Sequence, residues 1–135
     1  MATSKEIPFI DSGSDCKVIF GEEAVIKEYK GNKNTSSIKL IHQAHNDIAE
    51  RFGWAPKACL IGRKTLVCER VYGQRGDEVK SIPVDRIAAE QVKQIEKELG
   101  YHISDAGRKN FMYQEDKKRV VFVDLGRVKD IKAKK

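Results

Sequence analysis

Two glycines, Gly53 and Gly100, each end a stretch in which apolar residues return every third or fourth position, and this pair of amphipathic stripes limits what the chain can become. In the first stretch Ile38, Ile41, Ala44 or His45, Ile48 and Phe52 share a face, so the spacing predicts a helix over 38–52. In the second, Val84, Ile87 or Ala88, Val92, Ile95 and Leu99 do the same after Pro83, which predicts a helix over 83–99. A helix with one apolar stripe needs a second layer to cover it. The other apolar residues supply that layer in short, β-branched runs separated by turn residues.

Phe9-Ile10, Lys17 to Phe20 and Ala24 to Tyr29 read as a three-stranded antiparallel meander. The polar segment from Lys30 to Ser37 ends in good N-cap residues ahead of the first helix. Ala58 to Ile61 and Thr65 to Glu69 form a hairpin around a GRK turn, and Asn110 to Tyr113 and Arg119 to Asp124 form another around QEDKK. The order of elements is α+β, with a sheet-rich N-terminal part and a helix-plus-hairpin C-terminal part. No internal repeat or low-complexity linker interrupts it, and 135 residues with 40% apolar content suit one globular domain.

The net charge of +6 favours anionic partners, and basic residues cluster at Lys117, Lys118 and Arg119 and in the tail after Val128. There is no helix-turn-helix or finger signature and no interleaving of aromatic and basic residues, so nucleic acid is not the expected partner. Cys16, Cys59 and Cys68 form no CxxC pair, which points to reduced thiols in a cytoplasmic setting and away from a structural metal. The N-terminus lacks the apolar core of a signal peptide, and no run approaches the roughly 18 apolar residues of a membrane span. A soluble protein with no membrane attachment is expected.

The chemistry-bearing groups concentrate near the C-terminus. Asp105 follows the second helix, Asn110 lies five residues on, and Asp124 ends the last predicted strand, where a hairpin would set it beside Asn110. A carboxylate and a side-chain amide at one end of a hairpin can share a hard cation. Earlier in the chain, Lys27 sits in a strand between apolar neighbours, and Gly13 lies in the loop DSGSDCKV between two strands.

As an ordered set these motifs resemble the signature of the protein-kinase-like superfamily. Asp105-Ala-Gly-Arg-Lys-Asn110 has the spacing of the catalytic loop, Asp124-Leu-Gly126 stands for the metal-binding triplet, and Val25-Ile-Lys27 for the strand lysine. Leu66-Val-Cys-Glu-Arg-Val71 followed by Gly73 resembles the strand and hinge that hold adenine. The resemblance spans Phe9 to Val128. It implies a minimal kinase-like fold in a single domain over 1–135: an N-lobe sheet with its C-helix and hinge over about 9–71, a much reduced C-lobe over about 72–128, and a basic tail over 129–135. That C-lobe would hold one main helix and the catalytic and metal hairpin.

The resemblance also implies ATP and Mg²⁺ as cofactors. Lys27 would hold the α- and β-phosphates, Asp105 would serve as catalytic base, and Asn110 and Asp124 would bind the metal. Gly13 and Val18 would cover the nucleotide, while Glu69 and Val71 would meet adenine. The sequence departs from the pattern at several points. Asp11 and Cys16 replace the outer glycines of the cover loop, and Ile103 stands where the catalytic-loop histidine belongs, with His102 one residue earlier. The C-helix position in register with Lys27 is near His45, with Asp47 and Glu50 the nearest acids to pair with the lysine. After Gly126 only RVKDIKAKK remains, which resembles the minimal kinase-like proteins of bacteria, their effectors and phages.

The expected function is an ATP- and Mg²⁺-dependent phosphotransferase acting on Ser or Thr hydroxyls of a protein or of itself. The alternatives are a pseudokinase that works by binding or inhibiting a partner, and a basic nucleic-acid binder. A protein substrate or partner is expected in either kinase-like case, and apolar surface where the missing lobe would pack would favour an oligomer. The compartment expected is the cytoplasm, or a host cell's cytoplasm for an effector or phage protein.

Overall fold

The computed structural model describes residues 9–12, 16–30, 34–104, 107–125 and 128–131. The expected meander is present as β1 (Phe9–Ser12), β2 (Cys16–Phe20) and β3 (Ala24–Tyr29), and β4 (Ala58–Ile61) and β5 (Thr65–Glu69) complete an antiparallel sheet in the order β1-β2-β3-β5-β4. This order makes β3 the central strand. Val18, Lys27 and Leu66 therefore lie abreast across β2, β3 and β5.

Helix α1 (Thr35–Arg51) covers this sheet. It starts three residues before the predicted stripe because Asn34 caps it, accepting a hydrogen bond from the Ser36 N–H at 2.7 Å. Ile38, Ile41, Ala44, His45 and Ile48 form its buried face. At the far end Gly53 takes a φ of +76° and donates to the carbonyls of Ile48 and Ala49; a Cβ there would lie 2.8 Å from an Arg119 guanidinium nitrogen.

Helix α2 (Val84–Leu99) ends at Gly100, as its spacing predicts. Three short strands add to the predicted set: β6 (Gln74–Arg75), β7 (Tyr101–Ile103) and β10 (Val128–Asp130). With β8 (Phe111–Gln114) and β9 (Arg119–Phe122) they form two small antiparallel sheets, β6-β8-β9 and β10-β7. The predicted last hairpin is shorter than expected at both ends, so Asn110 closes a 3₁₀ turn (Arg108–Asn110) and Asp124 lies beyond β9. Phe111 and Phe122 meet edge to face at 6.1 Å in the core beneath it.

Both helices use a carboxamide to satisfy the outer edge of a sheet. Gln91, buried on α2, donates from Nε2 to the Val120 carbonyl at 2.9 Å and accepts from the Val120 N–H at 3.0 Å. Asn46 on α1 does the same for Ala58, at 2.9 and 2.8 Å. An edge strand presents backbone donors and acceptors that burial would otherwise leave unpaired. Gln91 lies within the apolar face of α2, where a reading of apolar residues alone passes over it.

Replacing Gln91 by Leu keeps the volume and removes both bonds, leaving the Val120 amide and carbonyl without partners. The expected loss is about 2–6 kcal/mol, from about 1–3 kcal/mol for each of the two orphaned buried groups. Urea unfolding measures it as a lower midpoint at unchanged slope, and a midpoint equal to wild type would show that the clamp adds nothing.

Candidate functional site

Lys27 is an unusual residue for the centre of a sheet: a cation 6% exposed, flanked by apolar strands. Its ammonium donates to the backbone carbonyl of Val123 at 2.5 Å, which ties the central strand to the residue just before Asp124. Asn110 reaches the same place. Its carbonyl accepts from the N–H groups of Val123 at 3.0 Å and Asp124 at 3.3 Å, so these backbone bonds set Asn110 beside Asp124 although neither lies in a strand.

A cleft of about 370 Å³ opens over these groups. Cys16, Val18 and Phe20 of β2 form one wall, and Glu69 at the end of β5 with Arg70 and Val71 after it form the back. Cys68 and Lys27 lie deep, and Lys109, Asn110, Met112, Val123 and Asp124 close the opposite side. The volume is within the range of small-ligand pockets, and the lining is mainly apolar with a few polar groups converging on one end. The Val71 N–H, which lies outside any strand, has no hydrogen-bond partner among the described residues.

The cleft's electrostatics follow from burial. Burial pushes the Cys68 thiol up, Lys27 opposes that shift and Asp124 adds to it, so the three groups act on one space. His45, on the buried face of α1, is fully buried. Burial, with the Lys27 charge next, lowers its imidazole to about 3 against the opposing effect of the Pro56 carbonyl, which His45 Nδ1 meets at 3.1 Å.

Of the residues expected at the site, Val18, Lys27, Glu69, Val71, Asn110 and Asp124 all line the cleft. Asp105 and Gly13 lie outside the described residues. The acids expected to pair with Lys27 need correction. Asp47 accepts from the Tyr101 hydroxyl at 2.5 Å, and with the exposed Glu50 it borders a separate recess beside Arg51 and Leu99. His45 takes the inward position because it shares the buried face with Ile41 and Ile48, whereas Asp47 is turned aside. His102 contacts Glu96 rather than the cleft.

Several cleft residues were not singled out in the sequence. Cys68 follows from strand alternation, since Leu66 and Cys68 point to one side of β5. Arg70 had no such signal: its guanidinium lies over the rings of Phe20 at 5.4 Å and Tyr72 at 5.2 Å and donates to the Gly21 carbonyl at 2.7 Å. The Tyr72 hydroxyl donates to the Glu22 carbonyl. Together they fasten the chain after β5 to the β2–β3 turn. On the other side, Arg108 forks onto Asp85 at the start of α2, with contacts of 2.6–3.0 Å that hold the Asp85 carboxyl below its ordinary range and anchor the turn carrying Asn110.

Asn110 and Asp124 supply one amide and one carboxylate oxygen donor group. Among the described residues no group of three or more His, Cys, Asp or Glu could hold a metal alone. That donor set suits Mg²⁺, which keeps several waters and takes one or two carboxylates together with a ligand's phosphates.

Solved structures with a similar fold are known. The chain superposes on WbdD bound to the kinase inhibitor LY294002 with a TM-score of 0.62 and 17% identity, covering 90% of this chain and 32% of WbdD. It matches Rio2 kinase from Chaetomium thermophilum, in an ADP/Mg²⁺-phosphoaspartate complex, with a TM-score of 0.60 and 16% identity over 90% of this chain and 48% of Rio2. Its fold is kinase-like. Rv3197 from Mycobacterium tuberculosis, in complex with erythromycin, matches with a TM-score of 0.61 and 14% identity over 96% of this chain and 49% of Rv3197. The chain thus spans between a third and a half of these proteins. No family model and no curated protein sequence matches it. Among the described residues no helix is long and apolar enough to cross a membrane.

The depressed His45 imidazole has a measurable consequence. Its ordinary value is 6.5 and its folded value about 3, so as pH falls below 6.5 the unfolded chain takes up a proton that the folded chain refuses until about pH 3. Stability from this group is present above 6.5 and declines as pH falls, by about 2 kcal/mol between pH 7 and pH 5. Asp77, Asp85 and Glu98, whose carboxyls are held low, stay ionised across that window. Urea midpoints at the two pH values give the slope, and His45→Gln should flatten it; parallel slopes in both proteins would contradict a neutral buried His45.

Proposed function

We propose that the cleft binds a nucleoside triphosphate with Mg²⁺ and that the chain transfers the terminal phosphoryl group to a Ser or Thr hydroxyl of a protein or of itself. The observation that carries this reading is convergence: Lys27, Asn110 and Asp124, together with the hinge at Glu69 and Val71, come from separate elements and line one cleft.

In this reading the ammonium of Lys27 meets the α- and β-phosphates, and the side chains of Asn110 and Asp124 hold the metal. When bound, Mg²⁺ offsets the charge that develops on the phosphoryl oxygens. The Val71 N–H offers a donor to the adenine ring between Val18 on one side and Met112 on the other. Asp105, by its place in the sequence five residues before Asn110, orients the acceptor hydroxyl and takes its proton. The kinase-like fold supports kinase activity in general, while the acceptor and the identity of the metal are part of the proposal.

One observation favours a second reading, in which nucleotide is bound but not turned over. No acid of α1 pairs with Lys27, and the ammonium rests on a backbone carbonyl. Calorimetric titration with MgATP separates the possibilities when run beside Asp124→Ala and Asp105→Ala. The expected result is saturable binding that weakens at least tenfold in Asp124→Ala, about 1.4 kcal/mol or more, with transfer of labelled phosphate lost in Asp105→Ala while binding persists. Binding without transfer in the wild type would leave the second reading, and no binding with an intact circular dichroism spectrum would exclude both.

A further inference from the structure

A lysine that grips phosphates works only if its long, flexible side chain is held on target. Helix α1 gives Lys27 no carboxylate for this purpose, since Asp47 is taken by Tyr101 and Glu50 is exposed. What the buried face of α1 carries within reach of the lysine's charge is His45, whose relative exposure is 0%.

The two ring nitrogens of His45 differ. Nδ1 lies 3.1 Å from the Pro56 carbonyl, which can only accept, so the proton belongs on Nδ1. Nε2 then presents a bare lone pair, and it has no hydrogen-bond partner among the described residues. An unsatisfied buried acceptor is costly, and such atoms in folded proteins call for an explanation. Lys27, itself buried in the sheet that α1 covers, is a donor whose charge acts on this ring. Its ammonium carries three N–H groups, of which one goes to Val123.

We propose that His45 is the positioning residue for Lys27: its neutral Nε2 accepts one N–H of the ammonium when the lysine swings from the Val123 carbonyl towards a nucleotide phosphate. The inference rests on the nucleotide reading of the cleft. It gives the unpaired Nε2 a partner and replaces a carboxylate with an acceptor that carries no charge. A carboxylate would orient the lysine and also cancel much of its field. A neutral imidazole orients it and leaves the full positive charge for the phosphates, in a site where water is largely excluded and Coulomb attraction is strong. Burial keeps the ring in this neutral form at any physiological pH.

The test uses the full chain, with MgADP as the probe so that no turnover intervenes. Calorimetric affinities of wild type, His45→Gln and His45→Leu are compared, and the ¹⁵N resonance of His45 Nε2 is followed in the wild type. The Gln carboxamide can set an acceptor oxygen near the Nε2 position, so binding should stay within about threefold of wild type, whereas Leu should weaken it by about tenfold or more. The Nε2 resonance should move upfield at saturation, as a bare lone pair acquires a hydrogen bond. If wild type binds and Leu binds equally well, or if the Nε2 resonance does not move, the role of His45 is overturned while the nucleotide site stands. If wild type does not bind, the nucleotide reading fails and this inference fails with it. Should His45→Leu not fold, the Nε2 resonance in the wild type decides.

Discussion

The bond from the Lys27 ammonium to the Val123 carbonyl spans 96 residues of sequence, and the cleft depends on it. A cation this buried must have an acceptor, because taking a bare charge out of water costs far more than a domain of this size can absorb. Meeting that need with the carbonyl next to Asp124 draws the central strand of one sheet to the end of the β8–β9 hairpin. Hydrophobic contact alone, being non-directional, does not fix so specific a pairing.

The segment from Trp54 to Ala58 secures the same junction from behind. The Trp54 carbonyl accepts from the Phe122 N–H at 2.7 Å, the Pro56 carbonyl faces His45, and Ala58 is held by Asn46. Five consecutive residues thus connect α1, β4 and β9, and stacking of Phe52 on Trp54 at 4.2 Å fixes their start. The elements that carry Lys27, Asn110 and Asp124 are located by polar groups at defined distances, on a background of apolar burial.

Much of this was legible in the sequence for physical reasons. The stripes of α1 and α2 are long enough to show their period, and Gly53 and Gly100 mark their ends because an L side chain resists the backbone they adopt. The strands of the large sheet are short but pair with near neighbours, so their turns announce them. Strands β6, β7 and β10 have two or three residues each and pair across long separations, such as Val128 with Ile103 and Gln74 with Tyr113. No local pattern reveals such strands. The spacing of Asn110 and Asp124 was visible, but the backbone bonds that join them were not. At α1 the register pointed to His45, and the expectation of an acid drew attention to Asp47, whose partner is a tyrosine 54 residues away.

The two carboxamide clamps also bear on how this chain meets others like it. A sheet grows by adding a strand to an open edge, and a partly buried edge with free amides is where misassembly begins. β4 and β9 are the terminal strands of their sheets, and at Ala58 and Val120 the bonds that a foreign strand would need already belong to Asn46 and Gln91. Strand addition is blocked at those two points by side chains from the helices, so self-association there would have to proceed through side-chain contacts. The same residues that hold the fold in register therefore act as guards against aggregation.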